Sequence, residues 1–244
     1  MTFPWSVGVV IPARDEELNI TECLEAVMDS LCACPEVRHF WITLVADSCT
    51  DRTADLARTI LQRQGEVIEC SVASAGAARR LGAQSTLNRL LGARGAAAHS
   101  TWLANTDADS VPTRDWLRQQ LDLANRGYSA VAGIVRLNDS EHPEVIRSHL
   151  DNYVLHSDGT HPHVHGANLG LRADAYLDVG GWSDLALAED HCLWNRLRAR
   201  GWQTVASIAS TVTTSARLRG RAPGGFADHL RSRVLGYGNA ILGS

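Results

Sequence analysis

Short apolar runs alternate with segments of helical periodicity along the first half of the chain. The runs at 7–11, 40–46, 67–70 and 101–105 are typical of buried strands, and the segments at 18–31, 53–64, 76–91 and 116–126 are typical of helices. Asp51 or Ser48 is a candidate cap for the second of these helices. Because strands alternate with helices, the pattern predicts an α/β fold with a mostly parallel sheet covered on both faces.

The second half of the chain has a less regular pattern. Strands are predicted at 130–137, 168–172, 204–208 and 211–214, and helices at 144–155, 173–179 and 189–200. A polar stretch at 156–166 contains His161, His163 and His165, which would share one face if the chain is extended. The tail at 215–225 combines arginines with glycines and is predicted to be a loop.

Polar or small residues follow each of the first four predicted strands. In parallel sheets, ligands bind beyond the carboxyl ends of the strands, so these residues predict the position of a site. They are Arg14, Asp15 and Glu16 after the first strand, Asp47 and Ser48 after the second, Ser74 to Gly76 after the third, and Asp107 and Asp109 after the fourth.

The strongest local signal is the pair Asp107 and Asp109. Two carboxylates separated by one residue in an extended segment point the same way. They offer hard oxygen ligands suited to Mg²⁺ or Mn²⁺, and a diphosphate would complete the coordination shell. The alternative is a surface turn whose aspartates cap the following helix. The position at the end of a buried strand favours the metal site.

Composition and charge exclude several other classes. The 244 residues are 45% hydrophobic and 20% charged, as in a soluble globular protein. A net charge of −4 and a pI near 6.2 give no reason to expect a nucleic-acid partner. Six scattered cysteines without a Cys-x-x-Cys pair indicate reduced thiols of a cytoplasmic protein. No signal peptide is visible and no run has the ~18 apolar residues of a membrane span.

Seven short motifs, in order, carry a family resemblance. They are VVIPARDEE at Val9–Glu17, VADSCTDRT at Val45–Thr53, GAARR at Gly76–Arg80, TDADS at Thr106–Ser110, HGANLGLR at His165–Arg172, GGW at Gly180–Trp182 and AEDH at Ala188–His191. The sequence resembles a family 2 glycosyltransferase with the GT-A fold. The resemblance implies a single domain over 1–244, with a Rossmann-like nucleotide-binding half at 1–110 and an acceptor-binding half with a C-terminal flap at 111–244.

The resemblance implies a nucleotide-diphosphate sugar donor held with Mn²⁺ or Mg²⁺. The implied donor-binding residues are Pro12, Arg14, Asp15 and Glu16 at the base, Asp47 at the nucleoside, Arg79 at the base or diphosphate, Asp107 near the ribose or metal, and Arg217 in a flap over the diphosphate. Asp109 is the implied direct metal ligand. The family more often has D-D-G-S where this chain has A-D-S-C, so the nucleotide base stays open.

The resemblance also implies the catalytic and acceptor residues. Asp190 is the candidate base that takes the proton of the acceptor hydroxyl in an inverting transfer, and Glu189 would orient it or bind the acceptor. A carboxylate at a helix N-terminus can also serve as a cap. The implied acceptor residues are Gly166, Ala167, Asn168 and Trp182. The candidate third metal ligand is His191, with His161, His163, His165 and His229 as other possibilities. The acceptor stays unknown.

Three alternatives stay open at this point. A nucleotidyltransferase on a similar sheet usually has a glycine-rich phosphate loop after the first strand, where this chain has Pro12 to Glu17. A non-catalytic nucleotide-binding domain would not need both carboxylate pairs. A retaining glycosyltransferase on the same fold differs only in the anomeric configuration of its product.

Overall fold

A computed structural model describes residues 4–138, 154–185 and 187–215. Within them, eight strands form one continuous sheet in the order β3-β2-β1-β4-β7-β6-β8-β5. The strands are β1 (Trp5–Ala13), β2 (Val37–Asp47), β3 (Gly65–Cys70), β4 (Thr101–Asn105), β5 (Ser110–Pro112), β6 (Ala130–Leu137), β7 (Leu169–Arg172) and β8 (Thr204–Thr214). The sheet and its helices confirm the predicted α/β class.

The sheet is mixed but mostly parallel. Strands β3, β2, β1 and β4 are parallel neighbours, so their carboxyl ends lie at one edge. Strand β7 runs antiparallel between β4 and β6, and β6 is parallel to β8. Because β7 is reversed, its first residue Leu169 pairs with the last residue of β4, Asn105. The segment that precedes β7 therefore reaches the same edge as the ends of the first four strands.

Helices cover both faces of the sheet, as the alternating pattern predicts. They are α1 (Ile20–Cys32), α2 (Thr53–Leu61), α3 (Ala75–Leu87), α4 (Trp116–Asn125), α5 (Ala173–Asp178) and α6 (Glu189–Ala199). One apolar core joins α1, α2 and α4 to one face, and a second joins α3, α5 and α6 to the other. None of the described helices has the length and apolar character needed to cross a bilayer.

Strand β1 shows how the two cores share the sheet. Val9 and Ile11 belong to the first core, whereas Val10 belongs to the second, because successive side chains of a strand point to opposite faces. Pro12 is tolerated near the end of this strand. The carbonyl of Val10 accepts a hydrogen bond from the Thr106 N–H, so the backbone of Val10 faces β4. The backbone nitrogen of Pro12, two residues later, lies on the same side but beyond the last β1–β4 pair, where no N–H donor is needed.

Several predicted elements differ from the observed ones. Segments 204–208 and 211–214 form one strand, β8, whose pairing with β6 skips residues 208–210 at a bulge. The three-residue strand β5 has too short a pattern to be recognised from the sequence. The helix predicted at 76–91 ends at Leu87 and continues as a π-helical turn, Asn88–Ala93. Most of the predicted helix 144–155 lies outside the described residues.

Candidate active site

The residues from Asn105 to Ser110 form a turn, so the prediction of an extended Asp-x-Asp segment is wrong. Strand β4 ends at Asn105, and the Ser110 N–H donates to the Asp107 carbonyl at 3.0 Å. The turn is needed because β4 lies in the middle of the sheet, whereas β5 begins at Ser110 and pairs at its far edge. Asp107 and Asp109 still lie at the carboxyl edge, but each has its own partner.

Asp109 is held by the end of strand β8. Thr214 donates its hydroxyl to Asp109 Oδ1 at 3.2 Å, and the Ser215 N–H donates to the Asp109 carbonyl at 3.3 Å. Sequence reasoning missed Thr214, because no local pattern shows that β8 ends at this turn. The described chain stops at Ser215, so the predicted donor contact of Arg217 lies outside the described residues.

The atoms around this turn suit a hard cation. Asp107 and Asp109 are each partly exposed and supply carboxylate oxygens. Behind them, the buried hydroxyls of Thr106 and Ser110 have no hydrogen-bond partner in the part of the chain that is described. The nearby Cys23 thiol donates to the Asp107 carbonyl, and burial together with Asp109 and Asp107 raises its pKa, so it stays a neutral thiol. The available donors are therefore oxygens, which fit Mg²⁺ or Mn²⁺.

The ends of β1 and β2 are fastened to each other by polar contacts. Asp15 has a left-handed φ of 52° and accepts at Oδ1 from the N–H and the hydroxyl of Thr50, at 2.7 and 3.1 Å. The Glu16 N–H donates to Thr53 Oγ1 at 2.7 Å, and Glu16 is 4% exposed. Asp51, one of the two candidate caps, accepts the Thr53 N–H at the start of α2. The predicted base-binding segment is thus a rigid corner, with Pro12 and Arg14 half-buried beside it.

Asp15, Cys49 and Asp51 bring three possible ligand atoms within 4.8 Å of one another at this corner. It is the one such group of three in the described ranges. The three side chains also bind neighbouring backbone: Cys49 Sγ accepts the Asp15 N–H, and Asp51 accepts the Glu17 N–H. These bonds to the backbone are sufficient to explain why the three side chains lie close together.

Asp47, the predicted nucleoside contact, organises the loop between β3 and α3. Its Oδ1 accepts the N–H groups of Val72 and Ala73 at 2.8 and 3.0 Å, and its Oδ2 accepts that of Ser74 at 3.1 Å. Asp47 is 6% exposed. Ser74 in turn caps α3 by accepting the Ala77 N–H at 3.3 Å. The carboxylate therefore sets the start of the helix that carries Arg79.

Arg79 joins the two halves of the site. Its Nη2 donates to Asp107 Oδ1 at 2.6 Å, and its Nη1 donates to Glu189 Oε1 at 2.5 Å. The residue is 4% exposed, and its guanidinium lies 5.4 Å from the centre of the Trp182 ring. Burial lowers the pKa of Arg79, but Asp107, Glu189 and Asp190 raise it by more, so the guanidinium is charged.

Glu189 and Asp190 open helix α6 beside this arginine. The helix begins after Ala188, which has a left-handed φ of 57°. Asp190 Oδ2 accepts the Gly166 N–H at 3.1 Å, and its Oδ1 accepts the His191 N–H at 2.7 Å. Burial raises the pKa of Glu189, against the opposite effect of Arg79. His191, the predicted third metal ligand, is exposed in the first turn of this helix.

Asn168 and Trp182, both predicted acceptor residues, are buried. Asn168 Oδ1 accepts from Trp116 Nε1 at 2.9 Å and Gln120 Nε2 at 3.2 Å, while Nδ2 donates to the Ile134 and Ser210 carbonyls. Trp182 is 1% exposed under the Arg79 guanidinium. Both side chains therefore support the site from inside the protein.

The remaining predicted residues near the acceptor side precede β7. Gly166 and Ala167 are buried in a short 3₁₀ turn. The rings of His161, His163 and His165 stack in series, with centroids 5.9 and 6.0 Å apart, as expected for alternate residues on one face. The His163 N–H donates to His161 Nδ1 at 3.2 Å, so part of this stack has a structural role.

The parallel strands β3-β2-β1-β4, the reversed β7 and the helices on both faces form a fold of the GT-A type. A family model described as "Glycosyltransferase like family 2" matches residues 4–227. The chain therefore belongs to glycosyltransferase family 2. A search of curated protein sequences found no significant match.

Three solved structures share this fold. The mannosyltransferase PcManGT from Pyrobaculum calidifontis, in complex with GDP-Man and Mn²⁺, is 20% identical with a TM-score of 0.59 over 93% of this chain and 60% of its own. S. aureus TarS 1-349 in complex with UDP-GlcNAc is 14% identical with a TM-score of 0.64, over 91% and 61%. GalNAc-T7 with UDP, GalNAc and Mn²⁺ is 12% identical with a TM-score of 0.63, over 86% and 44%. The chain thus spans less than two thirds of each of these proteins.

Proposed function

We propose that this protein transfers a hexosyl group from a nucleotide-diphosphate sugar to an acceptor, with Mn²⁺ or Mg²⁺ at Asp107 and Asp109. The observation that carries the proposal is the junction at the carboxyl edge, where Arg79 bonds to Asp107 on one side and Glu189 on the other. The donor carboxylates and the candidate base thus lie in one polar cluster. Solved structures of the same fold are complexes with GDP-Man and Mn²⁺, with UDP-GlcNAc, or with UDP, GalNAc and Mn²⁺, and these ligands support the proposal.

Asp190 is the proposed base of an inverting transfer. Its two oxygens accept N–H bonds from Gly166 and His191, which hold the carboxylate in one orientation at the start of α6. A carboxylate held in this way can accept the proton of the acceptor hydroxyl. A bound cation would offset the charge that develops on the leaving nucleoside diphosphate. Product with inverted anomeric configuration is expected.

The first test separates donor binding from chemistry. Asp190→Asn should lower kcat by about 10²- to 10⁴-fold, because a carboxamide cannot accept the proton, while the donor still binds. Asp109→Asn should abolish turnover and the effect of Mn²⁺. Nucleotide release from UDP- and GDP-sugars with Mn²⁺ measures turnover, and the rise in melting temperature measures donor binding. The control is Asp184→Asn, at an exposed carboxylate that pairs with Arg80.

A near wild-type rate in Asp190→Asn would show that the base is another group. Pyrophosphate release from a nucleoside triphosphate and a sugar phosphate would instead identify a nucleotidyltransferase. Binding of the nucleotide sugar without release of nucleotide, with any acceptor tried or with water, would favour the non-catalytic alternative.

A further inference from the structure

Arg79 links the donor-side carboxylate Asp107 to the start of α6. Its two terminal nitrogens bond to Asp107 and Glu189, at side chains that are 34% and 12% exposed respectively. The three residues come from helix α3, the turn after β4 and helix α6, so these two ion pairs join three separate elements. The guanidinium therefore fixes the distance between these carboxylates.

The surroundings of Arg79 leave its guanidinium one position. The Trp182 ring lies on one side, with its centre 5.4 Å away. A Cβ atom added to Gly166 would lie 2.6 Å from Arg79 Cζ and 2.7 Å from Nη2. The glycine is thus required by the close approach of the arginine to the backbone, and the same backbone donates its N–H to Asp190.

The charge balance also favours a fixed role. Two carboxylates, Asp107 and Glu189, bond to a single guanidinium whose residue is 4% exposed. A buried charge is stable only with close partners, and removal of one partner leaves the others uncompensated. Both terminal nitrogens are used within the protein, and the remaining Nε is buried without a partner in the described residues. The arginine fork is therefore directed at protein carboxylates.

We propose that Arg79 is a positioning residue that couples the donor-side carboxylate Asp107 to the Glu189–Asp190 pair on the acceptor side. This inference rests on the proposed function. This role of Arg79 differs from a direct contact with the donor, because the arginine acts through the two carboxylates that it binds. A bidentate fork can span both, whereas the single ammonium of a lysine cannot match both directions.

The test compares kcat with the donor KM. Arg79→Lys and Arg79→Gln should lower kcat by about 100-fold, since a misplacement of about 1 Å at reacting groups has this effect. The donor KM should change by much less. Gly166→Ala keeps the arginine but displaces the guanidinium, so it should lower kcat in the same way. The control is Arg80→Gln, the exposed neighbour on α3 that pairs with Asp184.

A pH profile separates positioning from simple loss of stability. Arg79 lowers the pKa of Glu189, which burial raises. Removal of the guanidinium should raise that pKa further. Because Glu189 is the residue expected to orient the base Asp190, its protonation at a higher pH should move the acid limb of the kcat profile to higher pH in Arg79→Gln. In a double-mutant cycle, Glu189→Gln should lower kcat far less in the Arg79→Gln background than in the wild type.

The inference is overturned if Arg79→Gln raises the donor KM while kcat is unchanged, which would indicate a direct donor contact. Additive effects of Arg79→Gln and Glu189→Gln would also overturn it. If Arg79→Gln does not fold, Arg79→Lys and Gly166→Ala still decide the question through the same kinetic split. If the wild type releases no nucleotide from any donor, the proposed function fails instead, and the cycle measured on thermal unfolding still tests the coupling.

Discussion

At the scale of single residues, the polar groups at the carboxyl edge divide into two kinds. Asp107, Asp109 and Asp190 are partly exposed and can meet a ligand. Asp47 and Asn168 are buried, and their side-chain atoms bond to backbone or to other buried groups. A sequence motif contains both kinds, because the stability of the edge and its chemistry need the same polar residue types.

Asn168→Ala should test the structural role of the buried amide. The substitution removes the amide that pairs with Trp116 Nε1 and with the Ile134 and Ser210 carbonyls, whereas Gln120 Nε2 keeps its bond to Ser210 Oγ. Each buried group left unsatisfied costs about 1–3 kcal/mol. Chemical denaturation should show a loss of at least ~3 kcal/mol. The matched control Asn195→Ala, at an exposed position in α6, should stay within about 0.5 kcal/mol of wild type. An unchanged stability with a raised acceptor KM would instead support direct acceptor binding.

At the scale of elements, helix α3 packs closely against the sheet. A Cβ at Gly82 would lie 2.7 Å from Val10 Cγ1 and 2.9 Å from Val45 Cγ2, so a glycine lets the helix lie against β1 and β2. This position matters for function because the same helix carries Arg79 near its start. Asp47 contributes to the same arrangement, because it binds the loop before α3 and so sets where the helix begins.

Gly82→Ala should destabilise the protein, although alanine favours helices. Overpacking against two β-branched side chains costs about 1–3 kcal/mol, which exceeds the gain of up to ~1 kcal/mol in helix propensity. Gly92→Ala is the control, because a Cβ there meets nothing within 4 Å. Thermal melts should show a lower melting temperature for the first variant and no loss for the second. Equal melting temperatures would show that α3 shifts without cost.

At the scale of the whole molecule, one sheet joins the first and second halves of the chain, 1–110 and 111–244. Strand β4 of the first half pairs with β7 of the second, and β5 pairs with β8 at the far edge. The turn with Asp107 and Asp109 lies in the segment that crosses between these pairings. The site therefore depends on both halves being folded together.

Calorimetry should show one cooperative unfolding transition. Because β4–β7 pairing and the two cores connect the halves, neither half can unfold without exposing apolar surface of the other. The ratio of calorimetric to van't Hoff enthalpy should be close to one. Two resolved transitions would show that 1–110 and 111–244 are independent domains.

The sequence alone determined the alternating strands and helices and the acidic residues at one edge of the sheet, where the candidate site lies. These follow from local periodicity and from the rule that parallel strands end together. Only the tertiary structure decided that β7 runs in reverse, that Asp109 meets Thr214, and that Arg79 bonds to Asp107 and Glu189. The Arg79 contacts join positions 28 and 110 residues apart. Such contacts depend on how whole elements pack, which no local pattern records.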